Sequence, residues 1–199
     1  MPQKEGKEEA IQMAREWLAG VDLPARLAAL ELPAPVAGVV VLRAFGQDID
    51  VCLADWSMTV KKNGKPAGLN DQILILHYLL CDLPVPAGTD LISYREFSGG
   101  QFYLQPFLSR TARPLAGRIG NDLALLKKNL DRFDWQPMAF GDFSARIHCL
   151  GNLFITLVYT LGDEEFPASC EILFDAATKR VYCTEDAAVL ASRICIGLL

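Results

Sequence analysis

The sequence lacks any long hydrophobic run. Its longest apolar stretch, Ile73 to Cys81, is interrupted by His77 and falls far short of the roughly 20 residues that cross a bilayer. No apolar core follows the charged segment Met1 to Glu9, so that segment does not read as a signal peptide. No membrane association and a cytoplasmic location are expected. Basic charge is not in excess: 19 Lys and Arg stand against 24 Asp and Glu, a net charge of −5. That balance argues against the basic face of a nucleic-acid binder. The phosphate-cradling patterns G-x-G-x-x-G and G-x-x-x-x-G-K-[ST] are absent. The six cysteines form no C-x-x-C pair and no iron–sulphur run, and they are expected to be reduced thiols acting as small apolar side chains. Fifteen glycines and eleven prolines follow no fixed period, which excludes collagen-like and repeat architectures.

What is present is globular material. Hydrophobic residues make up 51% of the 199 and charged residues 22%. A chain of this mass buries roughly 70% of its unfolded surface, enough for a self-sufficient core. One domain is expected, with a boundary near 134–143 as the alternative. Charge is unevenly spread. Residues 1–133 hold 15 basic and 15 acidic side chains, whereas residues 134–199 hold 4 and 9.

Hydrophobic period supplies the element order. Residues 7–19 read as a helix on Ile11, Ala14 and Leu18, and Pro24 suits the start of a second at 24–31. The period then falls to two. Val39 to Phe45 is a β-branched run, Asp48 to Ala54 puts Ile49, Val51 and Leu53 on one face, and Ser57 to Lys62 continues the meander. Asn70 is read as the cap of a helix over 71–81, apolar nearly all round and so buried at the centre. A short strand and a Ser98-Gly99-Gly100 turn are expected in 91–105. Pro106 opens a helix that Pro114 kinks or divides, and Asp122 to Arg132 forms another. Ser144 to Leu150 and Leu153 to Leu161 flank the hairpin pair Gly151-Asn152. Ser169 to Phe174 and a short edge strand at Val181 to Cys183 follow, and Thr184 is read as the cap of a closing helix near 185–197. Strands thus fall in two blocks, about 39–62 and 144–183, separated by helices. That is an α+β fold with antiparallel sheet, not a doubly wound parallel one.

Four places carry residues able to do chemistry. His77 lies on the buried helix, either as a ligand or as a core imidazole bonded to a backbone carbonyl. His148 and Cys149 are adjacent, but neighbours on a strand point to opposite faces, so they do not form a dyad. Residues 91–118 hold Arg95, Arg110, Arg113 and Arg118 against one carboxylate, Glu96, with Tyr103 and other aromatics beside Gly99-Gly100. The planar guanidinium suits phosphate or carboxylate, and aromatics beside glycine suit a ligand wall. The structural alternative is that Arg95 pairs with a C-terminal acid. The run Asp163-Glu164-Glu165 is a solvated turn, a partner for those arginines, or, with Asp142 and Asp175, a site for a hard cation or an acid–base pair. Glu185 and Asp186 sit where a first helical turn favours acids.

These same segments carry a family resemblance. Gln72 to Leu80, Ile92 to Gly100 with Tyr103, Phe107, Arg110 and Pro114-Leu115, then Gly141-Asp142, Asp163 to Pro167, Ile172 to Asp175 and Glu185-Asp186 resemble the blocks of domain of unknown function 3786, over roughly residues 40–195. The resemblance implies a setting among anaerobic bacteria and archaea. It assigns no activity. Some similar proteins carry an added cysteine-rich iron–sulphur segment, and this sequence has none. On matching positions the candidates are His77, Arg95, Glu96, Arg110, Asp142, Asp163, Glu164 and Asp175, and Tyr103 joins them as a ligand-binding candidate.

The functional expectation is a binding or accessory module of anaerobic metabolism that recognises an anionic ligand, a cofactor or a partner protein. A carboxylate- and metal-dependent hydrolase or lyase is the second reading, and a structural interaction domain, as a homodimer, is the third. No catalytic residue, metal ligand or cofactor is assigned.

Overall fold

The computed structural model describes residues 2–86, 88 and 90–199. Two helices open it, α1 (Pro2–Leu18) and α2 (Leu23–Ala29). Asp22 caps α2, its Oδ1 accepting the Ala25 N–H at 3.2 Å. The first strand block is β1 (Val39–Ala44), β2 (Gln47–Cys52), β3 (Met58–Val60) and β4 (Lys65–Pro66). Phe45 and Gly46 both take positive φ in the β1–β2 turn, as a tight two-residue hairpin turn demands. Ile49 and Val51 are fully buried on β2 and Asp48 is exposed, the alternation the sequence predicts.

The central helix α3 (Leu69–Leu80) follows. Leu74, Ile75, Leu76 and Tyr78 are fully buried. Its cap is Gly68, not Asn70, whose Oδ1 has no partner among the described residues. The helix starts two residues early because Leu69 packs on the core from the first turn. Arg26 of α2 donates to the carbonyls of Leu79 and Cys81 and so closes the other end.

Next come β5 (Leu91–Ser93), a single 3₁₀ turn over Tyr94–Glu96, α4 (Leu104–Arg110), α5 (Ala112–Ile119) and α6 (Leu123–Leu130). The helical pattern divides at Thr111, so Pro114 lies in the first turn of α5, where its missing N–H costs nothing.

The second strand block is β6 (Trp135–Met138), β7 (Phe143–Leu150), β8 (Leu153–Thr160) and β9 (Ser169–Asp175). Residues 135–138, near the alternative boundary, pair with β7. Residues 181–183 are not an edge strand. Val181 ends a one-turn helix, α7 (Thr178–Val181), and Cys183, not Thr184, caps α8 (Thr184–Gly197) through its Sγ.

Among the described residues all nine strands join one antiparallel sheet, ordered β4-β3-β2-β1-β7-β8-β9-β5, with β6 beside β7. The fold is α+β. One sheet face, with Leu42, Ile49, Ile147, Ile155 and Phe174, is buried against the helices. Tyr159 of β8 donates to the Gly120 carbonyl behind α5 at 2.8 Å, and the Tyr78 hydroxyl of α3 accepts the Asn152 N–H at 3.3 Å. On the opposite face Val41, Arg43, Asp48, Arg146, His148 and Glu171 are exposed or half-buried. Cys149 is fully buried and His148 lies across the sheet from it, so the two adjacent residues do part to opposite faces.

Candidate functional site

A groove of about 450 Å³ lies among the 3₁₀ turn, α4, the N-terminal half of α8, α1 and the start of α3. Its size is that of a small-molecule or side-chain pocket. The 3₁₀ turn is fixed locally: the Ser93 N–H donates to Glu96 Oε1 at 2.8 Å in a reciprocal capping box. Gly100 closes behind it, and a Cβ there would meet the Tyr94 carbonyl. Held this way, the Tyr94 ring stacks on Phe107 of α4, centroids 4.0 Å apart and planes 3° from parallel. Tyr94 donates to the Thr184 carbonyl at 3.3 Å, and Thr184 Oγ1 donates to Ser98 at 2.7 Å, which ties the start of α8 to the turn. Burial raises the Tyr94 phenol above its ordinary value; Arg110 opposes this shift and Glu185 adds to it. Both charged side chains line the groove with Tyr94.

Among the described residues three charged side chains line the groove: Lys7, Arg110 and Glu185. Among the described residues neither Lys7 nor Arg110 has a carboxylate within ion-pair distance. Tyr103 is 63% exposed at the rim, beside Phe102 at 79%. Among the described residues the groove is thus backed by two buried, mutually stacked rings and offers two unpaired cations and one acid.

The other candidates are dispersed. Arg95 is exposed and, among the described residues, pairs with no acid. The Glu96 carboxylate is taken up by the capping box. His77 Nδ1 lies 2.8 Å from Asp186 Oδ2 of α8, so its partner is a carboxylate and not a backbone carbonyl. Asp142 Oδ2 accepts the Leu161 N–H at 2.8 Å. Asp163 Oδ1 accepts the N–H groups of Phe166 and Glu165, which hold its carboxyl below the ordinary range. Glu164 is exposed on the same turn. Among the described residues no three of His, Cys, Asp and Glu gather as a metal site.

Asp175 is fully buried on β9, with Arg146 Nη2 of β7 at 2.8 Å from Oδ2. Burial outweighs this partner and holds the Asp175 carboxyl above its ordinary value. Its Oδ1 and the hydroxyls of Thr156 and Thr178 are buried without partners among the described residues. The Arg146 guanidinium also lies 3.7 Å from the Phe154 ring centroid and borders a polar cleft of about 430 Å³ with His148 and Asp134. Arg43 grips Asp134 at 2.6 and 2.9 Å. The pairings Arg146–Asp175, His77–Asp186 and Asp71–Arg193 were not read from sequence. Their partners lie 29, 109 and 122 residues apart, beyond the reach of any local spacing. Lys7 reaches the groove from a helix whose sequence signal is only its own amphipathic stripe.

The fold and groove define an α+β protein with one sheet face covered by helices and an aromatic, cationic groove within the helical layer. The chain belongs to the family described as Domain of unknown function (DUF3786), whose model matches residues 22–196. That span includes α2 and begins before the blocks that carry the resemblance. No curated protein and no solved structure matches the chain.

Proposed function

We propose that this protein is a binding module whose helical-layer groove takes an anionic group joined to an aromatic or other flat apolar body. The observation that carries the reading is the pair of unneutralised cations, Lys7 and Arg110, beside the stacked rings of Tyr94 and Phe107. A guanidinium with no internal carboxylate is free to form charge-assisted hydrogen bonds to an incoming anion, and the ring wall supplies apolar area and a preformed shape. Glu185 gives the same ligand an acceptor for any donor it carries. The carboxylate-and-metal reading has less support, because Asp142 and Asp163 each commit one carboxylate oxygen to backbone amides, Asp175 is buried in the sheet against Arg146, and among the described residues no three such groups gather. We place the module in the cytoplasm, where its six free cysteines stay reduced, and in anaerobic metabolism on the strength of the family resemblance.

Titration with phenyl phosphate and with phenylacetate, followed by NMR, tests the reading. Saturable shifts should appear at Tyr94, Phe107 and Ala188. Arg110→Ala should weaken binding about tenfold or more, the loss of one charge-assisted hydrogen bond of ~1.5 kcal/mol or more. Absence of saturable shifts for both probes, or equal binding by Arg110→Ala, overturns it.

A further inference from the structure

The turn at 162–167 holds an aromatic ring and two carboxylates at the surface. Asn121 clamps it at the base, donating to the Gly162 carbonyl at 2.9 Å and accepting its N–H at 2.7 Å. Asp163 folds it from within: Oδ1 accepts two backbone amides, and the Asp163 N–H donates to the Phe166 carbonyl at 2.9 Å. A Cβ on Gly162 would run into the Ala168 amide and the Phe166 carbonyl, so the turn is closed tightly on itself. At its surface Phe166 is nonetheless 68% exposed, and Glu164 and Glu165 are exposed and unpaired among the described residues. A rigid turn that keeps a large apolar ring in water loses little further entropy on docking, and exposed aromatics of this kind serve as interface anchors.

The complementary surface is on the same chain. The groove carries Lys7 and Arg110, against one acid, Glu185, where the turn carries Glu164 and Glu165, and it offers the exposed Tyr103 ring over the buried Tyr94–Phe107 stack where the turn carries Phe166. Within one molecule the two surfaces do not meet: neither glutamate pairs with an arginine among the described residues, although the sequence allows that pairing.

We propose that the groove receives the 162–167 turn of a second copy of this chain, with Phe166 entering between Tyr103 and the Tyr94–Phe107 wall and Glu164 and Glu165 meeting Arg110 and Lys7. The inference rests on the groove's preference for an anionic, aromatic group and names its source. Exchanged both ways, the contact gives a twofold dimer in which each copy supplies one groove and one turn. Opposed charges set the register and make association sensitive to salt.

Sedimentation velocity on the full chain reads the outcome, over about 5–500 µM protein and roughly 50–500 mM salt. The dimer fraction should rise with concentration and fall with salt. Phe166→Ala should weaken dimerisation about tenfold or more. The decisive arm uses charge reversal. Arg110→Glu puts acid on both surfaces of one chain, and Glu164→Lys with Glu165→Lys puts base on both surfaces of the other. Each alone should be monomeric. Their equimolar mixture should dimerise, because both exchanged contacts are then complementary. Restored pairing also proves that each variant is folded.

A third arm adds the free peptide of residues 161–168 to the wild-type chain. A wild-type chain that stays monomeric throughout, or a dimer that survives either charge reversal alone, overturns the self-docking. If the monomer still binds the peptide or phenyl phosphate in an Arg110-dependent way, the groove reading stands without it. If none of them binds, both readings fall together.

Discussion

Asp71 and Arg193 meet across the α3–α8 interface, with Arg193 Nε 2.7 Å from Asp71 Oδ1. The opposite end of the same antiparallel pair repeats the arrangement, where His77 meets Asp186 at 2.8 Å. Asp71 and Asp186 lie in the first turns of their helices and His77 in the last turn of α3. Both carboxylates therefore sit at the helix end their sign favours.

Asp71 is 5% exposed, so removing Arg193 leaves a buried charge with only the Gln47 amide, at 3.3 Å, beside it. Arg193→Ala should cost about 3–5 kcal/mol of unfolding free energy, the range for breaking a buried pair from one side. Arg43→Ala breaks the exposed pair with Asp134 and should cost about 1 kcal/mol or less. Urea unfolding of both variants checks the contrast, and equal losses would contradict it.

Asp175 and Asp134 should respond to pH in opposite senses. Burial raises the folded Asp175 above its ordinary value of 3.8. Its contribution to stability is full below 3.8 and is lost as pH rises through the raised value. The Arg43 hydrogen bond lowers the folded Asp134 below 3.8. Its contribution is present above 3.8 and is lost as pH falls through the lowered value. Wild type minus Asp175→Asn should therefore decline with rising pH, and wild type minus Asp134→Asn with falling pH. Unfolding free energies from about pH 2.5 to 7 give both differences; slopes of the same sign would refute the assignment.

Gly100→Ala should disable the groove without touching its lining. The added methyl meets the Tyr94 carbonyl, so the 3₁₀ turn must move and carry Tyr94 off Phe107. The expected result is a lower melting temperature together with loss of phenyl phosphate binding. Unchanged binding would show that the stacked wall does not depend on this turn.

Thiol reactivity should follow burial. Cys149 and Cys195 are 0% and 1% exposed, and burial raises both thiols well above their ordinary value. Cys183 is exposed. Mass spectrometry after iodoacetamide near neutral pH should find Cys183 alkylated first and the other two only after unfolding. Early labelling of Cys149 would contradict the packing of β7.

The strands that were legible in sequence are those in which period two is intact, such as Ile49 and Val51 alternating with Asp48 and Asp50. β6 was not, because Trp135-Gln136-Pro137-Met138 has no alternation and contains a proline. It is a strand only because β7 supplies its hydrogen bonds. Val181 to Cys183 read as a strand on its β-branched and aromatic residues, yet Thr178 starts a helical turn that the tertiary contacts of Tyr182 complete. The groove was half legible. Tyr103 and Arg110 come from one continuous segment, whereas Lys7, Asn70 and Glu185 reach it from elements remote in sequence.

The two rims of the sheet carry a consequence for how these molecules meet. One rim is the two-residue β4, whose Pro66 has no N–H to offer, and the other is the three-residue β5. Neither gives a neighbouring chain a ladder to extend. Strand addition is disfavoured at both of these rims, and the third free edge, β6, which among the described residues pairs only with β7, is interrupted by Pro137, so recognition between copies is left chiefly to side chains.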